Sequence, residues 1–363
     1  PYTTLFRSYS TQMQVMINTL NDIRTSDKQI SGTHGIGVLM ANSLMFQRFP
    51  DHNGYDDPQF SSFYGQTLPL LKRGIPVELV HMENTPFKDT FNGLQVLVMS
   101  YSNMKPMKSE YHNYLADWVK KGGTLVYCGE DVDPYQTVLE WWNTEGNAYK
   151  APSEHLFEAM GLSRNPGDGT YRFGKGTVIV MREDPKHFVL KGGNDRKYFE
   201  TIASAYESKT GKKIEIKNNF MVERGPYTIA AVMDESSSKE PLKLSGLYID
   251  LFDKGLPVLT VKQINPGEQG YLYDLNKVSG KVKAKVLCGA SRIYDEKVGR
   301  QSYSFVAKSP LHTTNVSRVL LPRKPEKVLV NGKAEQPEWD ESSKTLLLSF
   351  ENDPAGVNVS IEW

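Results

Sequence analysis

The 363 residues contain only two cysteines, Cys128 and Cys288. Two thiols cannot build the disulfide framework of a small secreted scaffold, nor supply the ligand set of a structural zinc site. A surplus of charge of one sign is also missing: 43 Lys and Arg face 42 Asp and Glu, a formal net charge of +1. With no basic run, the chain lacks the electrostatic footprint of a nucleic-acid partner. No apolar stretch approaches the ~18 residues of a membrane helix, so no membrane partner is expected either. Gly and Pro, at 29 and 20 residues, are near average usage, which excludes collagen-like and low-complexity architectures. What is present is 39% apolar and 11% aromatic residues. That is enough chain for roughly two domains of about 150 residues, with at least one well-buried core.

The chain opens on Pro1, with no charged-then-apolar leader behind it. Its first eight residues, Pro1-Tyr2-Thr3-Thr4-Leu5-Phe6-Arg7-Ser8, are similar to the in-frame translation of a DNA-sequencing adapter. The expectation is therefore a reading frame that runs off an assembled fragment, with any domain upstream of Tyr9 missing.

Met13, Met16, Ile17, Leu20 and Ile23 recur at helical spacing and predict an amphipathic helix over 10–24, stopping near Thr25-Ser26-Asp27. Strands and helices then alternate. Strands are expected over 36–41, 77–80, 94–99, 124–128 and 176–181; helices over 63–72, closed by Gly74, over 108–121, closed by Gly122-Gly123, and over 196–208. A further helix is expected after Asp133-Pro134, an N-cap followed by Pro at the first helical position, carrying Val138, Leu139, Trp141 and Trp142. Strands of nearly continuous Val, Leu, Ile and Met belong to parallel sheets covered on both faces. Beyond Thr210-Gly211 the period changes from 3.6 to 2, in short runs over 227–233, 244–251, 257–261, 281–287, 302–306, 318–321, 327–330, 345–350 and 357–363. Turn pairs such as Asn331-Gly332 separate them, the pattern of an antiparallel β-sandwich. The expected fold class is thus α/β with a parallel sheet over 30–210, then a β-sandwich over 211–363, with 1–29 as a truncated N-terminal segment and linker helix.

Open α/β sheets bind ligands at the carboxyl ends of their strands, which selects Asn42, Ser43, His81, Glu83, Ser100, Tyr101, Cys128, Glu130 and Asp131. Asn and Ser at such positions also satisfy turn backbone, and Asp133 already serves as a cap. Cys128 lacks the small residues two positions either side that a nucleophile elbow needs, since Val126 and Glu130 stand there. The acidic run 130–133 lacks the spaced ligands of a calcium loop, so no metal is expected. No carboxylate pair carries a motif, and the segment Gly32-Thr33-His34-Gly35-Ile36-Gly37 precedes a strand instead of following one, which removes a dinucleotide cofactor. Aromatics able to stack on sugars are Trp141, Trp142, Tyr149, Tyr271 and Tyr273. The candidate ligand-binding set is Asn42, Tyr101, Glu130, Asp131, Trp141 and Trp142, with no catalytic residue.

Three segments carry a resemblance: Tyr64-Gly65-Gln66-Thr67-Leu68-Pro69-Leu70-Leu71-Lys72-Arg73-Gly74-Ile75-Pro76-Val77, Phe91-Asn92-Gly93-Leu94-Gln95-Val96-Leu97-Val98, and Leu115-Ala116-Asp117-Trp118-Val119-Lys120-Lys121-Gly122-Gly123-Thr124-Leu125-Val126. Over roughly 30–208 the chain resembles the β-galactosidase trimerisation domain of family 42 glycoside hydrolases, a class I glutamine-amidotransferase-like, flavodoxin-like fold. Downstream, Gly246-Leu247-Tyr248-Ile249-Asp250-Leu251-Phe252-Asp253 and the closing 328–363 resemble the β-sandwich ending many bacterial glycoside hydrolases. The resemblance departs from true amidotransferases, whose elbow glycines are absent and whose later His-x-Glu is matched only by His81-Met82-Glu83, ahead of Cys128. It implies a non-catalytic accessory and oligomerisation region, a homo-oligomer, carbohydrate as partner through a missing catalytic barrel, and a periplasmic or secreted location. The alternative is a free-standing carbohydrate-binding protein.

Overall fold

The computed structural model describes residues 2–23, 28–45, 61–190, 194–278, 280 and 283–363. The expected helix stop at Thr25-Ser26-Asp27 and the strand start at Lys281 lie outside them. The chain forms two compact units: Gly32–Asn218 with Ser236–Ser238, and Pro1–Ser31 with Asn219–Glu235 and Lys239–Trp363. Helix α1 (Tyr2–Asp22) and strand β1 (Lys28–Ile30) belong to the latter. The helix begins eight residues before the expected 10, because the stripe from Met13 onward marks only the part with apolar spacing.

The α/β unit is built on β2 (Ile36–Met40), β3 (Glu78–His81), β4 (Val96–Met99), β5 (Thr124–Cys128), β6 (Gly169–Phe173) and β7 (Gly176–Met181), in the order β3-β2-β4-β5-β7-β6. All neighbours are parallel except β6, which pairs antiparallel with β7. Helices α2 (Ser61–Leu71), α3 (Tyr111–Lys120), α4 (Pro152–Ala159), α5 (His187–Leu190) and α6 (Asp195–Thr210) cover it. Because successive strand residues point to opposite faces, two cores form. Leu39, Leu97, Met99, Leu125 and Tyr127 pack with Leu115, Val119 and Phe157 of α3 and α4. Ile36, Val38, Val96, Val98, Val126 and Cys128 pack with Leu70, Tyr198 and Ile202 of α2 and α6. Both faces are therefore apolar, which is why these strands read as unbroken Val, Leu, Ile and Met.

One expected helix is corrected. After Asp133, which does cap as its Oδ1 accepts from Tyr135 N at 3.0 Å, the chain makes only a 3-10 turn, Pro134–Thr137, and then irregular turns to 151. Val138 and Leu139 are 42% and 80% exposed, so no apolar face exists to hold a longer helix.

In the antiparallel unit the period-2 region divides among three sheets, not one sandwich. β1 joins β8 (Asn219–Arg224), β9 (Tyr227–Val232), β10 (Leu242–Asp250), β11 (Val258–Ile264) and β12 (Gln269–Asp274) in the order β1-β8-β9-β12-β10-β11. The remaining strands are β13 (Lys285–Gly289), β14 (Arg292–Val298), β15 (Ser302–Lys308), β16 (Thr314–Leu320), β17 (Lys327–Val330), β18 (Lys333–Ala334), β19 (Glu338–Asp340), β20 (Thr345–Glu351) and β21 (Val357–Glu362). They form sheets β13-β16-β20-β19 and β14-β15-β21-β17-β18, which share one core, including Val286, Val319 and Leu348 from the first and Phe305, Val359 and Ile361 from the second. Asn331 and Gly332 both have positive φ, 46° and 76°, between paired Val330 and Lys333, the two-residue hairpin that their sequence calls for. Val15 of α1 packs with Tyr227, Ile249, Tyr271, Leu287 and Cys288. Among the described residues no helix is long and apolar enough to cross a membrane.

Candidate functional site

In the α/β unit β2 lies between β3 and β4, and α2 and α3 pack on opposite faces of the sheet, the arrangement in which such sheets open a crevice. The carboxyl-end loops are knit together there. Ser43 Oγ donates to Lys105 O at 2.6 Å and accepts from Lys105 N at 2.9 Å. Lys105 Nζ, buried, meets Asp133 Oδ2 at 2.7 Å, and the same oxygen accepts from Gln136 Nε2 at 3.1 Å. Burial pulls the Lys105 ammonium below its ordinary range while Asp133 works in the opposite direction. Asp131 is held three ways: by Tyr127 OH, by Ser153 Oγ at 2.7 Å and by Arg182 Nη1 at 2.7 Å. Asp184 Oδ1 accepts from Ser62 Oγ at 3.2 Å and from Lys186 N at 3.1 Å. Asn103 and Asp131 sit in the left-handed region, at φ 56° and 60°, which Asn and Asp tolerate best among non-glycine residues.

Next to this network stands a chain of rings. Tyr101 OH lies 2.6 Å from His112 Nε2, and His112 Nδ1 lies 2.8 Å from His155 Nδ1. With all three groups neutral, two arrangements make both bonds: Tyr101 donates to His112 Nε2 and His112 Nδ1–H to His155 Nδ1, or His155 Nδ1–H donates to His112 Nδ1 and His112 Nε2–H to Tyr101 OH. Burial, reinforced by His155, holds the His112 imidazole well below its ordinary pKa, and burial lowers His155 too. His155 also meets Trp141 and Tyr149 edge-on, each with ring centroids 5.3 Å apart. Trp141, Tyr149 and His155 are half-buried, so their rings make one partly open aromatic patch. Arg164 lies over the Tyr149 ring at 4.6 Å.

The six expected ligand residues meet different fates. Tyr101 and Asp131 lie inside the bonded clusters. Asn42 is exposed, its backbone N–H donating to Glu83 Oε1 at 2.9 Å, and Glu130 is exposed on the same edge. Trp141 belongs to the patch and donates from Nε1 to Pro106 O at 2.8 Å. Trp142 is corrected: it is 2% exposed, with Nε1 bonded to Gln136 O at 3.0 Å, and presents no stacking face. Tyr271 and Tyr273 are equally buried, at 3% and 4%. Cys128 lies wholly within the core, where burial pushes its thiol far above the range of a nucleophile. Among the described residues no group of three or more His, Cys, Asp and Glu could hold a metal ion.

Sequence reasoning missed Lys105, His112, His155 and Arg182. His112 carried one usable signal: His112, Leu115, Ala116 and Val119 form the buried stripe of α3, so its ring had to enter the core. Away from these loops a hollow of about 760 Å³ lies between β6, β7 and α6, with Arg172, Lys175, Lys197 and Lys209 on its rim.

No family model matches the chain, and no curated protein matches its sequence. Among solved structures it is similar to a GH42 β-galactosidase of G. stearothermophilus, at 13% identity and TM-score 0.40, covering 66% of this chain and 40% of that one. It is similar to the β-galactosidase of Bacillus circulans sp. alkalophilus, at 11% and 0.43, covering 72% and 43%. For the β-galactosidase of the psychrophilic Marinomonas ef1 the values are 11% and 0.38, covering 72% and 41%. The chain thus spans about two fifths of the length of these structures.

Proposed function

We propose that this chain is the non-catalytic accessory and oligomerisation region of a bacterial glycoside hydrolase, β-galactosidase-like, whose catalytic barrel lies upstream. In this reading the α/β unit is an amidotransferase-like domain that has lost its nucleophile, and the last two sheets are the terminal β-sandwich. One observation carries it. At the sheet edge where an amidotransferase-like fold would present an activated thiol, Cys128 is turned into the core and the polar side chains close on one another, Lys105 on Asp133 and Arg182 on Asp131. What stays partly open there is the patch of Trp141, Tyr149 and His155, suited to rim a sugar site by ring stacking. The resemblance of 30–208 to a trimerisation domain supplies the oligomerisation role.

Reading the source DNA upstream of the Tyr9 codon, together with light scattering on the purified chain, tests this. The expected results are an open frame continuing into a (β/α)8 pattern with acidic residues at two strand ends, and a mass of several chains. A start codon directly before Tyr9, or a monomer mass, overturns it. The second reading, a free-standing carbohydrate-binding protein, is favoured by the same half-open Trp141 ring; quenching of tryptophan fluorescence by oligosaccharides, lost in Trp141→Ala, would distinguish it when no barrel lies upstream.

A further inference from the structure

We infer that a hollow in the antiparallel unit, bounded by the end of α1 and by β13 and β14, is a binding site for a neutral saccharide. It has a volume of about 630 Å³ and is lined by Asn18, Asn21, Asp22, Ser291, Arg292 and Tyr294, among others. That volume falls within the ~300–1,000 Å³ of small-molecule sites.

Three features point to a ligand and to its chemistry. Ser291 is only 4% exposed, and its Oγ is buried without a hydrogen-bond partner, a state that folded proteins avoid unless something else supplies the partner. Around it the hollow offers both kinds of polar group. Asp22, whose Oδ2 already accepts from Tyr227 OH at 2.8 Å, presents a carboxylate that only accepts; Arg292 and Lys285 present cations that only donate; Asn21 does both. A ligand that serves all of them must donate and accept at neighbouring atoms. Vicinal hydroxyls do this, whereas a simple carboxylate or a fully ionised phosphate has no hydrogen to donate to Asp22. Finally, Tyr294 stands 43% exposed on the wall of the hollow, with Lys308 Nζ 5.5 Å from its ring centroid. An exposed tyrosine ring beside polar groups is a platform for the C–H face of a pyranose. Neither the volume nor the donor set depends on the hydrolase reading, which enters only in the choice of probe.

The test is calorimetric titration of the whole chain with lactose, with cellobiose and with the charged analogue lactobionate. The account expects lactose or cellobiose to bind with a Kd on the order of 1 mM. Tyr294→Ala and Asn21→Ala, both at exposed positions that leave the fold intact, should weaken that binding at least about tenfold, and Ser291→Ala about threefold. Trp141→Ala, in the other unit, should leave it unchanged. No binding of either neutral disaccharide at ~10 mM overturns the site, as do tighter binding of lactobionate and binding indifferent to Tyr294→Ala. A failure of the accessory-region reading shows elsewhere, as a start codon before Tyr9, and does not alter these titrations.

Discussion

The carboxyl edge of the parallel sheet and the hollow beside α1 are both rich in polar side chains, yet those of the edge are mostly paired with one another and those of the hollow mostly face solvent. At the sheet edge most of the groups are buried and paired with each other, Lys105 with Asp133, Asp131 with Arg182, Ser153 and Tyr127, Ser62 with Asp184, with Gln136 Oε1 and Glu83 Oε2 as buried oxygens that have no partner. In the hollow, Ser291 Oγ has no partner, while Asn21, Asp22, Arg292 and Tyr294 stand exposed. A closed network specifies a unique loop arrangement and has little left for a ligand; an open set of donors and acceptors is what a ligand completes. The position of a residue after a strand therefore says less about binding than whether its hydrogen bonds are already spent.

Substitutions can break this contrast at either end. The largest effect is expected for Lys105→Met, which leaves Asp133 buried without its cation and should cost about 3–5 kcal/mol in urea unfolding. A double variant that also carries Asp133→Leu should lose less than the two single changes summed, since the uncompensated charge is then gone. Gly65→Ala comes next. A Cβ there would fall 1.8 Å from Pro185 O, so α2 would be pushed off the loop that carries Asp184, at a cost of about 1–3 kcal/mol in the same assay.

The imidazole pair gives a pH signature of intermediate size. Because His112 is held well below its ordinary pKa, the native state stays unprotonated there while the unfolded chain takes up the proton. Stability should be level above about pH 6.5 and fall as pH drops below it, by up to about 1.4 kcal/mol per pH unit for that group. His155, lowered as well, adds in the same direction, and His112→Asn should flatten the slope measured from melting temperatures between about pH 7.5 and 5. The smallest effect belongs to the open region: Tyr294→Ala should change stability by less than about 0.5 kcal/mol while weakening saccharide binding at least about tenfold.

Much of the scaffold was legible because burial on both faces leaves so little choice. The segments 124–128, 176–181 and 327–330 coincide with β5, β7 and β17, and Asn331-Gly332 is the expected turn. Strands with weaker marks were missed: β8, whose residues are all half-buried, and β14, largely exposed, show no clean alternation to read. The helix expected after Asp133-Pro134 does not form, because the cap closes only a 3-10 turn, Val138 and Leu139 stand exposed, and Trp141 and Trp142 are each anchored by an indole N–H in a run of turns. The candidate site was legible only as positions. Tyr101 and Asp131 follow strands, but their partners His112, His155 and Arg182 come from α3, α4 and the end of β7, and no spacing along the chain reports such meetings.

The most direct test of the accessory-region account is nitrophenol release from an aryl β-galactoside by the purified chain, measured beside the same chain joined to whatever open frame the source DNA carries upstream of Tyr9. The account predicts no turnover above buffer for the chain alone and turnover once that frame is joined. Turnover by the chain alone, persisting through repeated purification and lost in His112→Ala, would place the chemistry at the sheet edge and contradict it.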